Sequence, residues 1–293
     1  MRVLLIFPGA LGDLLLLAPS IAALAGRGEQ VELSVQRALV PVVERLLRFP
    51  TGPPADGVEI GTLYASAPSA ALAAWVRGAD VVHGWLGREA QEAARRLREL
   101  GAGAVLLHSV VRGEGATHAS AEYGALLGVR PTRRIPVAPL ESQCAPIEWA
   151  CPRAGRLVIH PGAGSRAKRW SASGFARVAE AWNAAGGTAV MVAGPAESDL
   201  TEQWRAAGLR VARDLELLEV ADLLASAPVY LGNDSGISHL AGALDRSGVV
   251  LFGPTHPARW RPLAPGLEVV RFSDRETRDV VEAVLRRLRP GLA

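Results

Sequence analysis

From residue 2 to residue 127, short apolar runs alternate with amphipathic stretches and small-residue turns. The run Arg2–Phe7 is apolar at successive positions, as in a central parallel strand buried on both faces. Pro8-Gly9-Ala10-Leu11-Gly12 is a turn, and Asp13 opens a helix over 14–25. Further strands are expected at 31–35, 58–63, 79–85 and 104–108. Helices are expected at 39–47, 70–76, 89–100 and 119–127, the last ending at Gly128. Strand and helix in turn predict a doubly wound parallel sheet.

The texture changes between 131 and 152, where prolines stand at 131, 136, 139, 146 and 152 with little periodicity. That stretch reads as a linker. Alternation then resumes, with strands at 157–160, 188–193, 209–212, 229–231, 248–252 and 267–272. Helices are expected at 173–185, 197–207, 217–225, 237–244 and 275–288. The fold class is therefore α/β, with two Rossmann-like domains, 1–140 and 153–293, facing each other across a cleft. The last helix is free to pack back on the first domain. Open α/β sheets bind ligands at the carboxyl ends of their strands, so the cleft is the expected site.

Composition narrows the class. The chain has 293 residues, 49% of them hydrophobic and 21% charged, enough for two packed cores. The formal charge is +3 with no Lys/Arg tract, which gives no reason to expect nucleic acid as a partner. Cys144 and Cys151, with six residues between them, match no zinc spacing and read as incidental thiols. The leucine-rich start is broken by Pro8-Gly9 and Asp13, and no run reaches the ~18 apolar residues of a membrane span. The expectation is a cytoplasmic protein, with peripheral contact at the inner face of the membrane as an extension of it.

Three stretches could carry chemistry. Asp13, after a glycine-containing turn, is either an N-cap or a general base at the mouth of the cleft. The turn around Gly12 lacks the full Gly-x-Gly-x-x-Gly spacing of a dinucleotide site. The second stretch, HPGAGSRAKRW from His160 to Trp170, links a strand to a helix, and Gly162, Gly164 and Ser165 leave its backbone open to a phosphate. It is not a Walker A loop, and it holds Lys168, the single lysine among 32 Lys+Arg residues. A compact ammonium is not interchangeable with a guanidinium fork, so Lys168 reads as a diphosphate ligand. The third stretch, GNDSGISHL, sets Asp234, Ser235 and Gly236 in a turn and His239 five positions beyond Asp234. Asp234 there is either a helix cap or part of an anion site. His83, His108, His118 and His256 have no metal-ligand spacing, and no Gly-x-Ser-x-Gly elbow is present. Of the seven tryptophans, Trp170 and Trp260 lie in motifs and can line the cleft.

Together these residues resemble glycosyltransferase family 9, the ADP-heptose:lipopolysaccharide heptosyltransferases and their relatives. The resemblance runs nearly end to end. It rests on the stretch from Leu11 to Pro19, on HPGAGSRAKRW, on LLEVADLLASA (217–227), and on GNDSGISHLAGAL followed by LFGPTHPARW. It implies a two-domain GT-B fold and an inverting, metal-independent sugar transfer from a nucleotide diphosphate donor, usually ADP-heptose, to a glycan or glycolipid acceptor. No cofactor is implied, and the chain is expected to be a monomer. Carried over, Asp13 matches the catalytic base and Lys168 the donor-phosphate lysine. Gly12, Gly164, Ser165, Asp234, Ser235, Gly236 and His239 match the donor site, with His239 also placed at the leaving group. Glu197 matches an acid that contacts the nucleotide, and Leu215 and Leu217 lie near the base. The N-terminal half is short for the family, His256 stands where an Asp is usual, and Asp245 to Ser247 replace a small-Pro turn. Rival readings are a GT-B transferase or epimerase using another sugar nucleotide, and a nucleotide-binding relative without transfer activity.

Overall fold

Five successive apolar side chains, Val3 to Phe7, are buried along β1 (Arg2–Phe7), which makes it a central strand with both faces covered. The computed structural model describes residues 1–87, 89–111, 115–138, 155–194, 197–272 and 277–288. The chain divides into two compact units, Met1–Pro139 and Leu140–Ala293. In the first, β1 leads into α1 (Leu11–Gly26), then β2 (Gln30–Val35), α2 (Val58–Gly61), α3 (Ala70–Val76) and β3 (Val81–Gly84). After them come α4 (Ala90–Glu99), β4 (Ala104–Leu107) and α5 (Ala119–Leu126). Among the described residues the strands are all parallel in the order β2-β1-β3-β4, so the order reverses between β1 and β3. Helix α1 is buried nearly all round, with Leu14 to Leu17, Ile21 and Leu24 enclosed, and it packs against α5.

The second unit runs β5 (Arg156–His160), α6 (Ala172–Ala184), β6 (Thr188–Ala193), α7 (Ser198–Ala206), β7 (Arg210–Arg213) and α8 (Leu217–Ala225). It continues with β8 (Val229–Asn233), α9 (Gly236–Ala243), β9 (Ser247–Phe252), α10 (Pro257–Trp260), β10 (Leu267–Arg271) and α11 (Thr277–Leu288). All of its pairings among the described residues are parallel, in the order β10-β9-β8-β5-β6-β7. That is the doubly wound Rossmann order, with its switch point between β5 and β8. Its core packs Trp170, Phe175, Trp182 and Trp204 with the sheet. The apolar face of α11 (Val280, Ala283, Val284, Leu288) is buried within this same core.

Several sequence expectations change. Residues 58–63 are helical rather than a strand: Ile60 and Leu63, three apart, are buried while Val58 is exposed, which is helical spacing. The helix expected at 39–47 is a 3₁₀ turn, Arg37–Leu39, followed by a π-helical segment, Val42–Leu47, with Pro41 between them lacking the N–H that would continue one ladder. The expected linker begins inside the first unit, where Thr132 N–H donates to Pro19 C=O and Ala138 N–H to Leu46 C=O. Cys144, Cys151 and the rest of that linker lie outside the described residues, as do the first two positions of the helix expected at 275–288.

Candidate functional site

The switch point of the second unit gathers the residues of two sequence stretches. The loop after β5 crosses from His160 to the N-cap of α6, and the turn after β8 leads into α9. Lys168 closes a 3₁₀ turn, Arg166–Lys168, and its Nζ lies 2.9 Å from Asp234 Oδ2. The lysine side chain is 32% exposed and the aspartate 5%, so the ammonium sits at the rim and its counter-ion beneath it. Thr255, between β9 and α10, donates its hydroxyl to the same Asp234 Oδ2 at 2.7 Å. Asp234 does not cap α9. That role belongs to Ser235, whose Oγ accepts from Ser238 N–H, because the turn makes Gly236 the first helical residue.

The loop itself is held by Asn233, which is fully buried. Its Oδ1 accepts from Trp170 N–H at 3.0 Å and its Nδ2 donates to Pro161 C=O at 2.6 Å, so one side chain clasps both ends of the Lys168 segment. Trp170 packs edge-on against Phe175, 5.0 Å between ring centroids. Arg169 Nη2 pairs with Glu197 Oε1 at 3.2 Å, and Glu197 Oε2 accepts from Gly194 N–H at 3.1 Å. The carboxylate expected at the nucleotide thus braces the neighbouring arginine. Gly162 is required by close approach: a Cβ there would stand 2.8 Å from His160 Nε2 and 3.2 Å from Glu197 Oε2. At Gly164 a Cβ would meet nothing, and Ser165 beside it is exposed.

His160 Nδ1 lies 3.4 Å from Ser235 Oγ. Burial, then the charge of Arg169, lower the His160 pKa to about 4, so the imidazole is neutral at pH 7. The loop then carries three cations, Arg166, Lys168 and Arg169, against the two carboxylates of Asp234 and Glu197. Lys168 and Arg169 are paired with those carboxylates, and the exposed Arg166 leaves the loop with a positive excess suited to an anion. His239 is buried one turn into α9. Leu215 and Leu217, both half-buried, stand after the carboxyl end of β7, Leu217 as the first residue of α8.

In the first unit Gly12 and Asp13 occupy the first turn of α1. Asp13 is not the N-cap: the cap position is Ala10, whose methyl group makes no capping hydrogen bond, and Asp13 sits where a carboxylate meets the positive helix end. Tyr123 on α5 brings its hydroxyl to 3.5 Å from Asp13 Oδ1. Gln36 Nε2 donates to Pro8 C=O at 2.7 Å and fixes the turn before α1. Phe7, Trp85 and Tyr123 form an edge-to-face aromatic group at the carboxyl ends of β1 and β3. Beside it His83 Nδ1 and His108 Nε2 are 2.8 Å apart in stacked rings. Burial, then the neighbouring His108, hold the His83 pKa at about 4, and burial lowers that of His108.

The structure therefore joins Lys168, Asp234, Ser235 and Gly236 into one group and adds Asn233, Thr255, Arg169 and His160, none of which sequence reasoning had given a role. Among the described residues no group of three or more His, Cys, Asp or Glu is placed to hold a metal, and no helix is long and apolar enough to cross a membrane.

The model of glycosyltransferase family 9 (heptosyltransferase) matches residues 63–285. Lipooligosaccharide heptosyltransferase 2 of Haemophilus influenzae is 32% identical over 119 residues, 38% of this chain and 34% of that protein. The chain thus spans about a third of the length of the curated relatives it first matches, 34% in both cases. Among solved structures, E. coli ADP-heptose lps heptosyltransferase II superimposes with a TM-score of 0.80 at 18% identity over 100% of both chains. E. coli heptosyltransferase WaaC with ADP gives 0.72 at 18% identity over 99% of this chain and 100% of that one.

Proposed function

The chain belongs to glycosyltransferase family 9, and from that premise we propose that it transfers a sugar, heptose, from an ADP-linked donor to a hydroxyl of a glycan or glycolipid acceptor in cell-envelope polysaccharide synthesis. The observation that carries this reading is the Lys168–Asp234 pair at the switch point of a Rossmann-ordered sheet, beside the Ser235-capped start of α9. There Lys168, His239 and the first N–H groups of α9 receive the diphosphate. Gly164 and Ser165 leave the loop open to it, and Leu215 and Leu217 flank the base. Support for ADP comes from the ADP-bound WaaC relative.

Asp13 takes the proton of the acceptor hydroxyl. The acceptor oxygen forms a bond to the anomeric carbon as the bond from that carbon to the phosphate oxygen breaks, with inversion. The electron pair leaves on the diphosphate, where Lys168 and the helix end stabilise it. The chemistry calls for no metal or cofactor, and the chain works in the cytoplasm as a monomer, meeting a glycolipid acceptor at the inner membrane face. A thermal-shift panel of ADP, UDP, GDP and ADP-heptose should show the largest rise with the adenine nucleotides, because ligand binding stabilises by mass action. Asp13→Ala should lower kcat by about 10²–10⁴-fold while ADP affinity stays as in the wild type. Turnover that survives Asp13→Ala removes the base assignment, and a uridine or guanosine preference removes the ADP assignment.

A further inference from the structure

We propose that Thr255 is a positioning residue for donor binding, acting through Asp234 to keep Lys168 aimed and exchangeable. The inference rests on Lys168 being the phosphate contact.

The turn that carries Lys168 has no buried residue, so apolar packing does not set the lysine's position. Polar contacts do. Asn233 fixes the two ends of the loop, Glu197 takes Arg169, and Asp234 Oδ2 takes the ammonium. That same oxygen receives the Thr255 hydroxyl at 2.7 Å and the ammonium at 2.9 Å. The three partners come from three different segments, after β9, after β8 and after β5, so the arrangement exists only in the folded sheet.

A buried carboxylate that holds the ammonium competes with an incoming phosphate for its three N–H donors. A second donor on the same oxygen divides its accepting capacity and fixes the carboxylate rotamer. Without the hydroxyl, Asp234 has two outcomes. It turns away and leaves the lysine unaimed, or it closes fully on the lysine and competes harder with phosphate. Both leave less of the lysine in the geometry a diphosphate needs.

The test compares Thr255→Val, which keeps the shape, with Thr255→Ser, which keeps the hydroxyl. Calorimetric titration with ADP and steady-state kinetics with ADP-heptose are the readouts. Thr255→Val should raise the ADP Kd and the donor KM about 3–10-fold, and Thr255→Ser should restore both. In a Lys168→Ala background, Thr255→Val should add no further loss, as a double-mutant cycle requires when one residue acts through the other. Unchanged ADP affinity in Thr255→Val, equal impairment in Thr255→Ser, or a loss that persists without Lys168 would overturn the proposal. If Lys168→Ala itself binds ADP as tightly as the wild type, the phosphate reading falls together with this one. If Lys168→Ala loses affinity and Thr255→Val does not, only the role of Thr255 falls.

Discussion

At the scale of single residues, the kind of cation at 168 matters as much as its charge. Of the 32 Lys and Arg side chains every other one is an arginine, yet the group that meets Asp234 is a compact ammonium. A guanidinium would present a fork to the buried carboxylate and pair with it through two bonds rather than one. Lys168→Arg keeps the charge but should strengthen the hold of Asp234 and fill the rim of the loop. We expect ADP affinity to fall roughly tenfold in Lys168→Arg, measured by calorimetry, although the net charge is unchanged. An affinity equal to that of the wild type would mean that the site reads charge alone. Lys168 was legible in the sequence because composition set it apart. Thr255 was not, because its partner Asp234 lies 21 positions away and only the pairing of β8 with β9 brings the two segments together.

At the scale of elements, one side chain clasps the strand-to-helix loop that forms the site. Asn233 is the last residue of β8, and its amide serves Pro161 C=O and Trp170 N–H in a region without water access. Asn233→Ala leaves both backbone groups buried without that partner. Each such group costs about 1–3 kcal/mol, so the second unit should lose roughly 2–6 kcal/mol of stability in urea unfolding. A loss within about 0.5 kcal/mol would show that the loop holds itself. Long periodic elements were legible: the unbroken apolar run of β1 and the leucines of α1 left little choice. The segment 58–63 was not, because Val58 and Ile60 are spaced as in a strand and Ile60 and Leu63 as in a helix over so short a span, and burial of Ile60 and Leu63 with Val58 exposed decided for the helix. The His83–His108 pair left no linear signal either. It arises from the parallel register of β3 with β4, where His83 faces Leu106 and His108 follows just beyond the strand end.

At the scale of the whole molecule, both units carry an imidazole that resists protonation: the buried His83 in the first and the half-buried His160 in the second, each with its pKa lowered to about 4. Burial is the larger cause in both. His108 adds to it at His83, and Arg169 adds to it at His160. An unfolded chain titrates these groups near 6.5, so between pH 6.5 and 4 the unfolded state binds more protons than the folded one. Stability is therefore fully present above about pH 6.5 and is lost as the pH falls toward 4. For His83, which is 6% exposed, a depression of this size corresponds to about 3 kcal/mol. The two units should weaken over the same acid window, even though their cores are separate. Urea unfolding at pH 7 and pH 4.5 should show the drop, and His83→Gln should shrink the difference between the two pH values, since the variant has no proton to gain. Equal stability at both pH values in the wild type would remove the effect, and an undiminished drop in His83→Gln would place the acid sensitivity elsewhere.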